Sequence, residues 1–518
     1  MTNVRESLTY EPHELTFGTS GLRGLLKDMT DIECYINAVG FLKFIDSNSI
    51  ESENKIVYIA GDLRSSTPRI ICSLVKAAYD SNYTPIYCGF IPTPALAHYG
   101  LSMASPVLMV TGSHIPDDRN GIKFYKRDGE LLKKDEKSMQ SHVADIRQDV
   151  YASAIETSDF TITGELKERP EMLPIDTSAT NQYASRHIDF FGTSALSGKK
   201  IIFYQHSAVG RDSLVDLLRK LGAEVIPVGR SEKFISIDTE NVTKQDEKYF
   251  TSLATEHPDA FAIVSTDGDS DRPFLIDETG QFHRGDVLGT VVSDWLYSGF
   301  AAFPVSSSDA LDMFLELKHK DYEHTKIGSP YVIAAMNSAK SSGHTNIVGW
   351  EVNGGFLLGS KIIRESKELS ALPTRDAILP IIIGLVSAIE KNIKISELFK
   401  TLPQRSTQAG LIDNFPIDVS KKIIQTFTAN QVEATALLSS YFTVEDGFDN
   451  VSSINSLDGL RIYFKNGDIA HLRPSGNAPQ LRIYSVSDTQ DRADEIVHIA
   501  TKENGIFRKL ESDFSAQE

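Results

Sequence analysis

The sequence predicts an α/β protein: three related α/β domains with mixed, mainly parallel sheets, followed by a C-terminal α+β domain. Three observations carry this reading. Strand-like and helix-like segments alternate in the same order three times, the pattern of βαβ units joined by right-handed crossovers. The chain then changes to closely spaced strands around a tight hairpin signal. Its 518 residues, 41% apolar and 24% charged, suffice for several domains, each with its own core.

The first round opens with KIVYIAGD (55–62), read as a strand, continues with a helical period over 68–80, and closes on the strand TPIYCG (84–89). KKIIFYQH (199–206), the helical stretch 212–221 and AEVIPVG (223–229) repeat that order. The third round runs through AAFPVS (301–306), 308–317, HTKIG (324–328), 330–339 and TNIVGW (345–350). Near the C-terminus, LRIYFK (460–465) and DIAHLRPS (468–475) flank Asn466-Gly467, which predicts a type I′ hairpin, and LRIYSVS (481–487) adds a strand before a helix starting near Asp488. The polar stretches 151–183 and 400–416 read as linkers. The domains are expected at 1–155, 180–277, 278–400 and 415–518.

Charge and composition narrow the function. Seventy acidic residues against 52 Lys and Arg give a formal net charge of −18, which repels polyanions, so neither nucleic acid nor an anionic membrane is an expected partner. Cys34, Cys72 and Cys88 form no paired framework and have no metal-ligand spacing, which favours a reducing compartment. The first residues lack an apolar leader, and the longest apolar stretch, 377–389, is too short to span a bilayer and contains Pro380. A cytoplasmic protein is expected.

Five segments can carry chemistry. Thr111-Gly112-Ser113-His114 follows the apolar strand PVLMV, where α/β folds bind ligands; a reactive Ser-His pair and a hydroxyl-closed turn are the two readings. Asp267-Gly268-Asp269-Ser270-Asp271-Arg272 sets alternate carboxylates in a turning loop, an oxygen-ligand pattern for Mg²⁺ or Ca²⁺, against the alternative of a solvated acidic turn. An EF-hand is rejected: Arg272 stands where the sharp turn needs Gly, and the flanks DAFAIVS and PFLID read as strands. Arg473-Pro474-Ser475-Gly476-Asn477-Ala478-Pro479 with Arg482 makes either a phosphate nest or an exposed turn. Gly349-Trp350-Glu351-Val352-Asn353-Gly354-Gly355 offers a carboxylate and an amide suited to sugar hydroxyls. Phe17-Gly18-Thr19-Ser20-Gly21-Leu22-Arg23-Gly24 is a glycine-rich loop with one cation and matches no nucleotide-binding fingerprint.

In this order and spacing, FGTSGLRG, TGSH…NGIKFY, DGDSDR, GWEVNGG and RPSGNAP…R resemble the α-D-phosphohexomutase superfamily, in particular its phosphomannomutase/phosphoglucomutase branch, over nearly the whole chain. The resemblance implies four domains around a central cleft and reversible phosphoryl transfer between the 1- and 6-positions of mannose or glucose phosphate. A phosphoglucosamine mutase and a non-catalytic sugar-phosphate binder are the alternatives. It implies further that Ser113 is the phosphoserine and that Ser113, Asp267, Asp269 and Asp271 hold Mg²⁺. Lys123 and His114 would transfer protons, Arg23 and Arg272 would support the phosphoserine, and Glu351 and Asn353 would read sugar hydroxyls. Lys326 and Ser329 would contact substrate, while Arg473, Ser475, Gly476, Asn477 and Arg482 would grip the non-reacting phosphate. Glucose or mannose 1,6-bisphosphate would be intermediate and activator, and the protein a monomer or homodimer. This chain departs from the family pattern at Ile115 (usually Asn), Ser270 (usually Gly), Asn353 (commonly Ser) and Asn477-Ala478 (usually Thr-Glu).

Overall fold

The strand and helix rounds are present with boundaries close to those expected: Ile56–Gly61, Thr67–Asp80 and Thr84–Phe90, then Lys200–His206, Ser213–Lys220 and Glu224–Arg230. The computed structural model describes residues 2–18, 21–48, 54–240, 242–474 and 479–515. The chain divides into two compact units, Met1–Phe300 with Gly328–Phe399, and Ala301–Ile327 with Lys400–Glu518, so the expected third domain contributes to both.

In the first unit one sheet runs in the order Thr16–Phe17, Leu22–Leu25, Arg119–Lys126, Val107–Val110, Ile56–Gly61, Thr84–Phe90. Ile56–Gly61 pairs in parallel with both Thr84–Phe90 and Val107–Val110, and antiparallel pairs extend the sheet beyond Val107–Val110. All four residues of Val107–Val110 are buried, the continuous apolar pattern of a strand covered on both faces. A second mixed sheet has the order Phe282–His283, Pro273–Ile276, Ala262–Thr266, Lys200–His206, Glu224–Arg230. Ile347–Trp350, Phe356–Leu358 and Leu372–Asp376 form a third, antiparallel ladder. The three site loops of this unit therefore share one construction. Each turns between antiparallel neighbours: 111–118 leads from Val107–Val110 to Arg119–Lys126, 267–272 joins Ala262–Thr266 to Pro273–Ile276, and 351–355 joins Ile347–Trp350 to Phe356–Leu358.

The second unit carries an antiparallel sheet in the order Ser406–Asp413, Gln480–Ser487, Ile469–Pro474, Leu460–Phe464, Val451–Asn455, with helices Gln490–Thr501 and Ile506–Ser515. Two expectations are corrected here. The stretch 400–416 is not a plain linker, since Ser406–Asp413 is an edge strand paired along its length with Gln480–Ser487. Only Ile412 of its eight residues is buried, so its polar side chains hid a strand held by backbone hydrogen bonds. The hairpin at Asn466-Gly467 exists but is not type I′, because Gly467 has φ +86° whereas Asn466 does not adopt positive φ. Gly467 N–H donates to the Phe464 carbonyl at 3.1 Å and Phe464 N–H to the Asp468 carbonyl at 2.9 Å, a type I turn followed by a glycine bulge. In the first unit, the polar stretch 151–183 likewise includes an isolated bridge, Phe160 to Leu166, whose side chains join the first sheet's core.

Candidate active site

Ser113 sits at the turn leaving the buried Val107–Val110 strand, in a left-handed conformation with φ +55°. Its amide donates to Thr111 Oγ1 at 2.8 Å, and Thr111 Oγ1 donates to Asp62 Oδ2 at 2.8 Å. The loop is tied down by a residue that the motifs did not single out. Arg64, fully buried beside Asp62, donates to the carbonyls of Ser113 (3.0 Å), Ile115 (2.6 Å), Pro116 (2.7 Å) and Arg119 (3.0 Å), and its guanidinium lies 3.8 Å from the centre of the Phe234 ring. Gly112 permits this approach, since a Cβ there would stand 2.6 Å from Arg64 Cζ.

The aspartate loop meets this turn directly. Ser113 Oγ donates to Asp267 Oδ2 at 2.7 Å and lies 3.5 Å from His114 Nδ1. Asp267 Oδ1 accepts from the amides of Asp271 and Arg272, both at 3.1 Å. Carboxylate oxygens of Asp267, Asp269 and Asp271 lie within 4.8 Å of one another, all three residues buried. Lys123, projecting from the paired strand Arg119–Lys126, places its ammonium 2.6 Å from Asp269 Oδ2 and 2.5 Å from Asp271 Oδ2. Thr93 Oγ1 donates to Asp269 Oδ2 at 2.5 Å. Oδ1 of Asp269 and Oδ1 of Asp271 are buried without a hydrogen-bond partner among the described residues. Unpartnered lone pairs on converging carboxylates are what a hard cation requires, so these residues fit Mg²⁺.

Electrostatics separates the three acids. Burial, and then the charges of Asp269 and Asp271, push the Asp267 carboxyl well above the usual carboxylate range. Burial also acts on Asp271, but Arg375, Lys123 and Arg272 outweigh it and hold that carboxyl low. Burial and the cations Arg272 and Arg23 push His114 far down, so its imidazole is neutral. Arg23, on Leu22–Leu25 with Gly121 as its cross-strand partner, is pulled down to about 10 by burial and by the neighbouring Arg272 and Arg375.

Ser270 occupies the family's usual Gly position with φ +58° and is held by its hydroxyl, which accepts from Gly210 N–H at 3.0 Å and lies 2.8 Å from Thr266 Oγ1. Glu351 is nearly buried and accepts at Oε2 from Arg375 Nη1 at 3.0 Å. Asn353 is engaged inside its own turn, accepting from Gly355 N–H at 3.0 Å and donating to Glu240 Oε1 at 3.1 Å. Ser329 opens the helix Ser329–Ser341 and donates to Glu130 Oε2 at 3.0 Å.

The first unit thus gathers Arg23, Ser113, His114, Lys123, the three aspartates, Arg272, Ser329, Glu351 and Asn353. Lys326, Arg473 and Arg482 belong to the second unit, while Ser475, Gly476 and Asn477 lie outside the described residues. There, Arg473 and Arg482 are direct cross-strand partners. Arg473 Nε lies 3.3 Å from Asp458 Oδ1, and Arg482 Nε is buried with no hydrogen-bond partner among the described residues. Like charges placed opposite each other destabilise a sheet unless an anion joins them.

Similarity to known proteins agrees with this geometry. Family models described as phosphoglucomutase/phosphomannomutase match residues 14–149 (alpha/beta/alpha domain I), 284–406 (alpha/beta/alpha domain III) and 428–502 (C-terminal domain). A phosphomannomutase of Salmonella muenchen is 40% identical over 93% of this chain and 94% of that protein, and one of Sinorhizobium fredii is 37% identical over 93% and 97%. The chain belongs to the phosphoglucomutase/phosphomannomutase family of α-D-phosphohexomutases. As a phosphohexomutase it is an enzyme of phosphoryl transfer on hexose phosphates. The fold of this phosphohexomutase is also that of a phosphoglucomutase/phosphomannomutase family protein from Burkholderia thailandensis, with a TM-score of 0.71 at 16% identity over 96% of this chain and 98% of that one. Parafusin, a Paramecium phosphoglucomutase, shares it with a TM-score of 0.63 at 14% identity over 98% and 95%. Within this phosphohexomutase, motif reading missed Arg64, Asp62, Thr93 and Arg375. Arg64 offered one signal: it follows the carboxyl end of the strand KIVYIAGD, where ligand loops gather.

Proposed function

We propose that the enzyme interconverts the 1- and 6-phosphates of mannose and glucose through a phosphoserine at Ser113. The observation that carries this is the Ser113 hydroxyl, hydrogen-bonded to Asp267 at 2.7 Å, within a loop whose other two aspartates hold the Lys123 ammonium. Phosphoryl transfer asks mainly for positioning and charge neutralisation, and this arrangement supplies both. Ser113 Oγ carries the phosphoryl group and gives it to one sugar hydroxyl, forming a hexose 1,6-bisphosphate. The turned-around intermediate returns its other phosphate to Ser113 Oγ. Lys123 and neutral His114 move the hydroxyl proton, while Arg23 and Arg272 face the phosphoryl oxygens.

Asp267, Asp269 and Asp271, with the phosphorylated Ser113, would hold Mg²⁺, which when bound neutralises charge on the phosphoryl group. Glu351, Asn353, Ser329 and Lys326 are assigned to the sugar, and Arg473, Ser475, Gly476, Asn477 and Arg482 to the non-reacting phosphate. The opposed arginines of the C-terminal sheet support an anion there. We assign the domains to 1–155, 180–277, 278–400 and 415–518, and hexose 1,6-bisphosphate as activator. Coupled assays with mannose 1-phosphate, glucose 1-phosphate and glucosamine 1-phosphate in parallel test the reading. Turnover of the first two is expected, and turnover of glucosamine 1-phosphate alone would overturn it.

A further inference from the structure

The geometry points to Arg375 as a positioning residue that orients Glu351 toward the sugar and ties the sugar loop to the metal loop. This rests on the reading of Glu351 as the sugar's carboxylate. Arg375 lies on Leu372–Asp376 and is 3% exposed. Its Nε donates to Asp271 Oδ2 at 3.0 Å and its Nη1 to Glu351 Oε2 at 3.0 Å, while Ser329 Oγ lies 3.4 Å from the same Nη1. One planar fork therefore spans a carboxylate of the metal loop and a carboxylate of the sugar loop.

The surroundings are built for it. Glu130, also buried, accepts from Thr374 Oγ1 at 2.5 Å and from Ser329 at 3.0 Å, fixing the strand position next to Arg375. A Cβ on Gly355 of the sugar loop would stand 2.5 Å from Arg375 Cδ, so that loop is shaped around the arginine stem. With Oε2 taken by Arg375, Glu351 Oε1 accepts no hydrogen bond from the described residues and is the oxygen left for a hydroxyl. A buried carboxylate without this cation would turn toward other donors or take up a proton, and the hydroxyls would lose their acceptor. A lysine keeps the charge but cannot span both carboxylates with a rigid fork.

The test is a double-mutant cycle on kcat and KM for mannose 1-phosphate and glucose 1-phosphate at saturating Mg²⁺, with folding checked by circular dichroism. Arg375→Met should raise KM roughly tenfold or more in the wild-type background but much less in the Glu351→Ala background, the non-additivity of residues in contact. Arg375→Lys should give an intermediate KM with the same dependence on Glu351, and it carries the test if the methionine variant does not fold. Equal KM effects of the Arg375 variants in both backgrounds would overturn the coupling. An unchanged KM in Glu351→Ala itself would instead overturn the sugar-reading role of Glu351.

Discussion

At the residue scale, the three aspartates differ in kind although they sit in one loop. Asp267 is held by Ser113 Oγ and two backbone amides, whereas Asp269 and Asp271 share Lys123 and each leave one buried oxygen without a hydrogen bond among the described residues. Asp269→Asn should therefore lower kcat by roughly 100-fold or more, the scale of losing one charge-stabilising group, and weaken Mg²⁺ binding measured by calorimetry. Normal turnover after exhaustive chelation would contradict this. Ser270 poses a contest of opposite terms. A left-handed non-glycine residue costs about 1–2 kcal/mol, while leaving the buried Gly210 N–H unpaired costs about 1–3 kcal/mol. Ser270→Gly trades one against the other and should be within about 1 kcal/mol of neutral, whereas Ser270→Ala keeps the strain and loses the bond, so it should destabilise by about 1–3 kcal/mol. Denaturant midpoints of the two variants decide: if backbone strain alone mattered, Ser270→Gly would be stabilised by about 1–2 kcal/mol and Ser270→Ala would be unchanged.

At the element scale, the loops were legible because each motif is local: a short run of residues at a strand end supplies both the turn and the chemistry. What binds those loops to the fold was not. Arg64 reaches carbonyls 49 to 55 positions away, and Arg375 joins loops 104 and 24 positions away, so neither leaves a local signature. Likewise the edge strand Ser406–Asp413 gains its structure from a partner near 480, not from its own apolar pattern, and at Asn466-Gly467 the dipeptide announced a hairpin without specifying which turn closes it. Arg64 should be structural rather than chemical. Arg64→Met takes one donor from each of four carbonyls and leaves Asp62 without its buried cation, so unfolding should become easier by about 3–5 kcal/mol. Arg64→Lys, lacking the fork, should recover only part of that. Chemical denaturation reads both, and a stable Arg64→Met protein would remove the arginine from its anchoring role.

At the scale of the whole molecule, buried imidazoles set a pH limit on stability. Burial pulls His98 down to about 4, His206 to about 4 and His187 to about 3 in the first unit, and His471 to about 3 in the second. The unfolded chain takes up those protons near the ordinary histidine value of about 6.5. The folded chain does not until pH 3–4, so the unfolded state binds more protons as pH falls. Stability is thus fully present above about 6.5 and declines below it, by about 1.4 kcal/mol per pH unit for each such histidine. Thermal melts between pH 7 and pH 5 should show the decline before most surface carboxylates titrate, and a flat profile would contradict it. The proposed function rests on one serine, Ser113, as the carrier of the phosphoryl group. Intact-mass and phosphopeptide analysis of the wild-type and Ser113→Ala proteins after incubation with glucose 1,6-bisphosphate, with turnover measured on the same samples, tests this directly. One phosphoryl group on Ser113, and neither phosphorylation nor turnover in the alanine variant, is the predicted result; a fully active Ser113→Ala enzyme, or phosphate on a different residue of the wild type, would contradict it.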